Sequence, residues 1–183
     1  MRIIGGSLKG RTIKLPKDLH LRPTTDFAKE GLFNVLANKI NFEDVTLLDL
    51  FSGTGHISLE FASRGCKNIV AVDKNFKCVG FLRSVCKEFN LNINATKSDA
   101  LEFLKSCTAK FDLIFADPPY DLENIAQIHQ VVFEKQLLNK NGILIIEHGP
   151  KTHLETLTGF DRQRKYGNVN FSFFGSEELP KAV

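Results

Sequence analysis

The chain has 183 residues, 43% of them hydrophobic and 25% charged, a balance ordinary for one soluble globular domain with a substantial core. No run reaches the roughly 18 apolar residues of a membrane span, the opening MRIIGGSLKG is too polar for a secretory signal, and Cys66, Cys78, Cys86 and Cys107 form neither a CxxC pair nor a disulfide framework, which predicts a cytoplasmic protein with reduced thiols and no metal site. Net charge is only +3, but residues 1–30 carry seven Lys/Arg against three acids, a basic end on a near-neutral body that points to a polyanionic partner.

In chain order, RIIGG-SLKG-RTIKLP reads as a hairpin, two short β-prone runs around a Gly-containing turn. LRPTTDFAKEGLFNVLANKI then opens a helix that Thr25 or Asp26 can cap, with Ala28, Leu32, Val35, Leu36 and Ile40 on one face. From Val45 strands and helices alternate. VTLLDL is an apolar strand, GHISLEFASRG a helix closed by Gly65, NIVAVD a strand and NFKCVGFLRSVCKEFN a helix. INATKS is a weaker strand, DALEFLKSC a short helix, and FDLIFAD a strong strand, followed by a helix over 125–138 and the strand GILIIEH. FDRQRKYGNVNFSFFG is two strands joined at Gly167-Asn168. The phenylalanines, Phe27 and Phe33 among them, are assigned to the core.

Apolar strands alternating with helices indicate a parallel sheet covered on both faces. The predicted fold class is α/β: a mostly parallel seven-stranded sheet with an antiparallel C-terminal edge hairpin. A β-hairpin appendage over 1–24 precedes the main domain over 25–183.

Ligands of such sheets bind beyond the carboxyl ends of the strands, and acids recur there. The first strand ends in DLFSGTG with Asp49, the second in Asp73, the third in Asp99, the fourth in DPPY and the fifth in Glu147-His148. Clustered carboxylates repel and cost solvation, so a merely structural sheet has no need of them. Gly53 and Gly55 make a tight turn that lets a ligand approach the backbone. Asp73, about twenty residues further on, stands where an acid accepts hydrogen bonds from ribose hydroxyls. Asp49 beside the loop opposes a pyrophosphate, whereas an adenosyl ligand with a cationic sulfonium, S-adenosylmethionine, suits an acidic pocket. Asp99 is then placed for the adenine amino group and Asp49 for the methionine amine, directly or through water. The competing readings are a helix cap for Asp99 and a local backbone-bonding acid for Asp49. Asp117 has a task as acceptor for an exocyclic amino group, with the Pro118 carbonyl as second acceptor, Pro119 as a stiffener and Tyr120 as a stacking surface.

DLFSGTGHISLEFASRG, VDKN and DPPY resemble motifs of Rossmann-like S-adenosylmethionine-dependent methyltransferases, DPPY the amino-directed variant. RIIGGSLKGRTIKLP and LRPTTDFAKEGLFNVL narrow the resemblance to the RsmD-type bacterial 16S rRNA guanine-N2 methyltransferases, which modify guanine 966, and it runs almost end to end. It implies cofactor contacts at Asp49, Gly53, Gly55, Asp73 and Asp99, and a catalytic loop at Asp117, Pro118, Pro119 and Tyr120. It also implies RNA contact through Arg2, Lys9, Arg11, Arg22 and Thr24, and a monomer acting on 16S rRNA, a small subunit or an assembly intermediate. His56 departs from the small residue expected after the glycine turn and reads as a first-turn helix residue. His148 reads as structural.

Other readings compete: an adenine-N6 methyltransferase acting on DNA or another RNA, and a non-catalytic RNA-binding assembly factor. An NAD-dependent dehydrogenase is disfavoured by Ser58, which stands where the third glycine of GxGxxG belongs. A solvated hairpin whose lysines only aid solubility competes with the RNA reading of the N-terminus.

Overall fold

The computed structural model describes residues 1–16, 26–119 and 125–175. Tyr120, Arg22, Thr24 and the alternative cap Thr25 lie outside them. Among the described residues, seven strands form one sheet: β1 Thr46–Leu50, β2 Asn68–Asp73, β3 Ile93–Lys97, β4 Phe111–Ala116, β5 Leu138–His148, β6 Phe160–Tyr166 and β7 Val169–Gly175. Their order is β3-β2-β1-β4-β5-β7-β6, with the first five parallel and β7 antiparallel to both neighbours. The chain lays strands outward from β1 in one direction and then returns to add β4 on its other side. The resulting crevice between β1 and β4 is where open α/β sheets hold ligands.

Among the described residues, five α-helices cover the sheet: α1 Asp26–Ala37, α2 His56–Ser63, α3 Phe76–Phe89, α4 Ala100–Ser106 and α5 Ala126–Glu134. One apolar cluster joins Leu48, Leu50, Ile114, Ile146 and Phe174 to Leu104 of α4 and Ile128 of α5. The opposite face joins Leu47, Leu113, Phe115, Ile145 and Phe171 to Leu32, Phe33 and Leu36 of α1 and to Phe61 of α2. Strand alternation explains the split, since successive side chains leave the sheet on opposite sides. No described helix is long and apolar enough to cross a membrane.

The elements agree with the sequence reading, with five differences. The N-terminal hairpin is shorter than read: one antiparallel bridge joins Arg2 and Thr12, flanked by Ile3 N donating to Arg11 O at 2.9 Å, Gly10 N to Ile3 O at 2.9 Å and Ile13 N to Met1 O at 2.8 Å. Its loop is also hydrogen-bonded to α2, with Ser7 N donating to Ser63 O at 2.7 Å and Leu8 N to Ser63 Oγ at 2.9 Å. Gly6 permits this approach; its φ is +74°, and a Cβ there would collide with Ser63 O. Ile3 and Ile13 are buried with Leu59, Val79 and Leu82, so this segment shares a core with α2 and α3.

The α1 face is rotated from the expected one, burying Lys29 and Phe33 while Ile40 lies past the helix end. The helix α5 stops at Glu134 because Gln136 adopts a positive φ. The strand β5 begins at Leu138 rather than at Gly142, and its extra residues continue the pairing through an irregularity opposite Phe111–Leu113. Finally, Phe27 and Phe76 are not core residues: they are 67% and 65% exposed. Phe27 packs edge-on to Tyr166 at 5.7 Å, beside the β6–β7 turn.

Candidate active site

The loop leaving β1 is built around backbone geometry. Positive φ values recur at Phe51 (58°), Gly53 (52°) and Gly55 (81°). Ser52 N donates to Val72 O at 3.0 Å, Gly53 N to the Asp73 carboxylate at 2.7 Å, and Gly55 N to Ser52 O at 2.7 Å. The loop is therefore tied to the end of β2 before any ligand arrives. Gly55 answers to packing: a Cβ there would sit 2.5 Å from Leu82 Cδ1 on α3. It does not line the cleft, whereas Ser52, Gly53 and Thr54 do.

Asp49 also lies behind the cleft. It is 1% exposed, and its Oδ2 accepts from Ser58 N at 3.1 Å and Ser58 Oγ at 2.5 Å. That is the local backbone-bonding arrangement, and Ser58 in place of a third glycine supplies it. Burial pushes the Asp49 carboxyl up to about 7, against the Ser58 hydrogen bonds, and the nearby Asp117 and Asp73 add to the rise.

Asp73 and Asp99 face the cleft on the β2–β3 side. Asp73 receives Gly53 N on Oδ2 and Asn75 N on Oδ1, at 2.7 and 2.8 Å. Each carboxylate oxygen has a further lone pair with which to meet a ribose hydroxyl. Asp99 is the N-cap of α4, its Oδ1 accepting from Leu101 N and Glu102 N at 2.9 and 3.2 Å. The helix-cap reading thus holds at one oxygen while the residue still lines the cleft. Burial, with Asp73 nearby, raises the thiol of the adjacent Cys78 to about 11, which leaves it protonated.

The cleft continues past the loop toward β4 and β5 and encloses about 1280 Å³. That volume exceeds the roughly 300–1,000 Å³ of a typical small-molecule site, leaving room for a second reactant beside a cofactor. This half is lined by Asp117, Pro118 and Pro119 and by residues the sequence reading did not select as a group: Asp26, Lys29, His56 and Glu147. Asp117 N continues the ladder to Leu50 O at 3.3 Å, so the loop leaves from a fixed strand end. Burial pushes the Asp117 carboxyl up to about 7.

His56 is the first residue of α2, as expected. Burial, reinforced by Lys29, lowers its pKa to about 4, so the imidazole is neutral, and its buried Nε2 has no partner within the described structure. Lys29 is 2% exposed, donates from Nζ to Arg2 O at 2.5 Å, and lies 3.7 Å from Glu60 Oε2. Glu60, fully buried, also accepts from Ile4 N and Gly5 N, both at 2.8 Å, and from Arg64 Nε at 2.9 Å. Nothing in the local pattern around Lys29 marks it, because a helical lysine normally reads as solvated. Glu147 had a signal, an acid at a strand end. His148 is structural: its ring nitrogens contact Gly149 O and Ser172 Oγ at 3.0 and 2.8 Å.

Of the residues implied to meet RNA, Arg2, Lys9 and Arg11 are exposed on the N-terminal segment. Arg2 is also engaged by α1, 3.2 Å from Glu30 Oε1 and 3.6 Å from Asp26 Oδ2. The cleft suits an adenosyl sulfonium compound: Asp73 and Asp99 offer acceptors at one end, Gly53 brings backbone close, and Asp117 adds negative charge further along. A pyrophosphate would meet these same acids unfavourably.

A family model described as conserved hypothetical protein 95 matches residues 1–175. The Bacillus subtilis protein YlbH, provisionally named an rRNA methyltransferase, is 33% identical over 182 residues, covering 95% of this chain and 98% of that protein. Ribosomal RNA small subunit methyltransferase D of Escherichia coli strain K12 is 27% identical over 188 residues, covering 97% and 90%. The solved structure of yhhF from Escherichia coli, provisionally called a methyltransferase, superposes with a TM-score of 0.84 at 26% identity, covering 98% of this chain and 99% of that one. The chain therefore belongs to the conserved hypothetical protein 95 family, the RsmD-type methyltransferases of Rossmann-like fold, whose cofactor is S-adenosylmethionine.

Proposed function

We propose that this protein methylates the exocyclic N2 amino group of a guanine in small-subunit rRNA, with guanine 966 as the target. The observation that carries the reading is Asp117: a carboxylate at the end of β4, facing a cleft whose other half holds Gly53 of the β1–α2 loop and Asp73 at the end of β2. The Escherichia coli relative named for small-subunit rRNA supports the substrate class.

Bound in this cleft, S-adenosylmethionine supplies a methyl group on cationic sulfur. The residues do the remainder. Asp73 and Asp99 orient the nucleoside end, and Gly53 brings main chain against it. The guanine N2 nitrogen is a weak nucleophile because its lone pair is delocalised into the ring. Asp117 accepts one N–H, the Pro118 carbonyl the other, and the lone pair is turned toward the methyl. As the nitrogen gains its fourth bond it becomes acidic, and the Asp117 carboxylate takes the proton. Positioned proton acceptors of this kind contribute about 10²–10⁴-fold in rate, and orientation contributes up to roughly 7–11 kcal/mol of the barrier. Tyr120 serves as the stacking surface by resemblance. Lys9 and Arg11, with Arg22 and Thr24 by resemblance, meet RNA phosphates on the segment over 1–24.

The test is to incubate the protein with labelled S-adenosylmethionine and small subunits from cells lacking this enzyme, then to map and identify the modified base. N2-methylguanine at position 966 is expected. Label on an adenine N6, or on no RNA, would overturn the reading.

A further inference from the structure

Beside Asp117 stands a second carboxylate whose placement the methyl-transfer chemistry does not use. The strands β4 and β5 are parallel with Ala116 opposite Ile146, so the next pair outward is Asp117 and Glu147. Strand alternation puts Glu147 on the side of Ile145 and Asp117 on the side of Phe115, and those two apolar residues share one cluster. Both acids line the cleft, and Glu147 is only 3% exposed. A carboxylate sunk there costs solvation that a threonine or glutamine would largely avoid.

We infer that Glu147 is a specificity residue that reads the N1–H of the target guanine beside the amino group held by Asp117. The inference rests on the guanine-N2 reading and deepens it. Guanine presents N1–H and N2–H₂ as adjacent donors, so two neighbouring carboxylates match its edge. Adenine presents its N6 amino group beside an N1 lone pair. A carboxylate that faces N1 therefore accepts from guanine and repels adenine, which makes Glu147 both an attractive and an exclusionary element. Asp117 alone accepts from either amino group and cannot make this distinction. The other groups around this end do not make it: neutral His56 can meet either edge by its choice of tautomer, Lys29 is held by Arg2 O and Glu60, and Asp26, 3.6 Å from Arg2 Nε, does not adjoin Asp117 in the sheet as Glu147 does.

The experiment uses small subunits reconstituted with 16S rRNA carrying guanine or 2-aminopurine at the mapped position. The analogue keeps the 2-amino group but has a lone pair at N1. Wild-type protein is expected to prefer guanine by about 100-fold or more, the scale of a hydrogen bond to a charged group. Glu147→Gln, whose amide can donate to a bare N1, is expected to lose about 10- to 100-fold on guanine and to bring the preference below about 10-fold. Glu147→Ala is expected to slow guanine without gaining on the analogue. S-adenosylmethionine affinity, by calorimetry, should stay near wild type in both. An unchanged guanine-to-analogue ratio in a folded Glu147→Gln protein would overturn the inference while leaving guanine-N2 methylation standing. Absence of N2-methylguanine with wild-type protein would overturn both.

Discussion

Asp117 and Asp49 both hold carboxyls raised to about 7, one facing the cleft and the other behind it, so protonation within the working pH range bears on activity. An amino-group acceptor must be ionised. Because the Asp117 pKa is raised, the competent form accumulates only as pH climbs through about 7. The expected kcat/KM for methyl transfer therefore rises from pH 5.5 to 8.5 and levels off above. Asp117→Asn should lower kcat about 10²–10⁴-fold and abolish that limb, while Asp49→Asn keeps it; a flat wild-type profile would remove Asp117 as the titrating acceptor. Asp73 carries a different expectation. Its carboxylate organises Gly53 and Asn75 and faces the cleft, where the proposed reading has it meet the ribose of the cofactor. Asp73→Ala should weaken S-adenosylmethionine binding by roughly 10- to 100-fold, the scale of hydrogen bonds to a charged acceptor. Calorimetry with unchanged affinity would remove it from the site.

Among the elements, the N-terminal segment and α2 act as one unit. Glu60 collects two backbone N–H groups of the segment together with Lys29 and Arg64, and Arg64 in turn lies over the rings of Phe33 and Phe42 at 4.8 and 5.3 Å. Removing one member of a buried ion pair strands the other, a loss of about 3–5 kcal/mol. Glu60→Ala should lower unfolding stability by that order in denaturant titration and speed hydrogen exchange over residues 3–13; exchange at the wild-type rate would mean that the Ser63 hydrogen bonds and the burial of Ile3 and Ile13 hold the segment without Glu60. Lys9 and Arg11 project from the exposed side of the same unit. Reversing both to Glu should weaken RNA binding and reduce its salt slope by roughly one unit for each phosphate no longer neutralised; an unchanged slope would return them to solvated surface. The segment also shows where sequence reading ran short. Its β-prone runs were visible, but the partner of its loop was Ser63, more than fifty residues away. No local pattern carries that information.

For the whole molecule, the sheet brings Asp49, Asp73, Asp99, Asp117 and Glu147 to one edge, and the cleft there must pair its acids with a cation. S-adenosylmethionine brings one, and its binding in this cleft is expected to release protons. Opposite charge favours the ionised form of a carboxyl, and affinity is expected to rise as pH passes through about 7, where Asp117 and Asp49 lose protons. Calorimetry in two buffers of different ionisation enthalpy measures the protons released; none released between pH 6 and 7 would disconnect these acids from the cofactor. The same raised carboxyls oppose folding in the free protein. The folded state holds protons that the unfolded chain gives up near pH 4, so their contribution to stability falls as pH rises from about 4 to about 7. The sequence by itself determined the order of elements, the parallel sheet and the acids at its strand ends, because apolar runs, helical periodicity and glycine turns act over a few neighbouring residues. Only the tertiary structure decided which acids are available to a ligand. It turned Asp49 onto Ser58, spent one oxygen of Asp99 on a helix cap, buried Lys29 beside Glu60, and set Glu147 next to Asp117 thirty residues away in the chain. The physical reason is that a charge's solvation and partners depend on what packs around it, which strand pairing and helix docking supply and neighbouring residues along the chain do not.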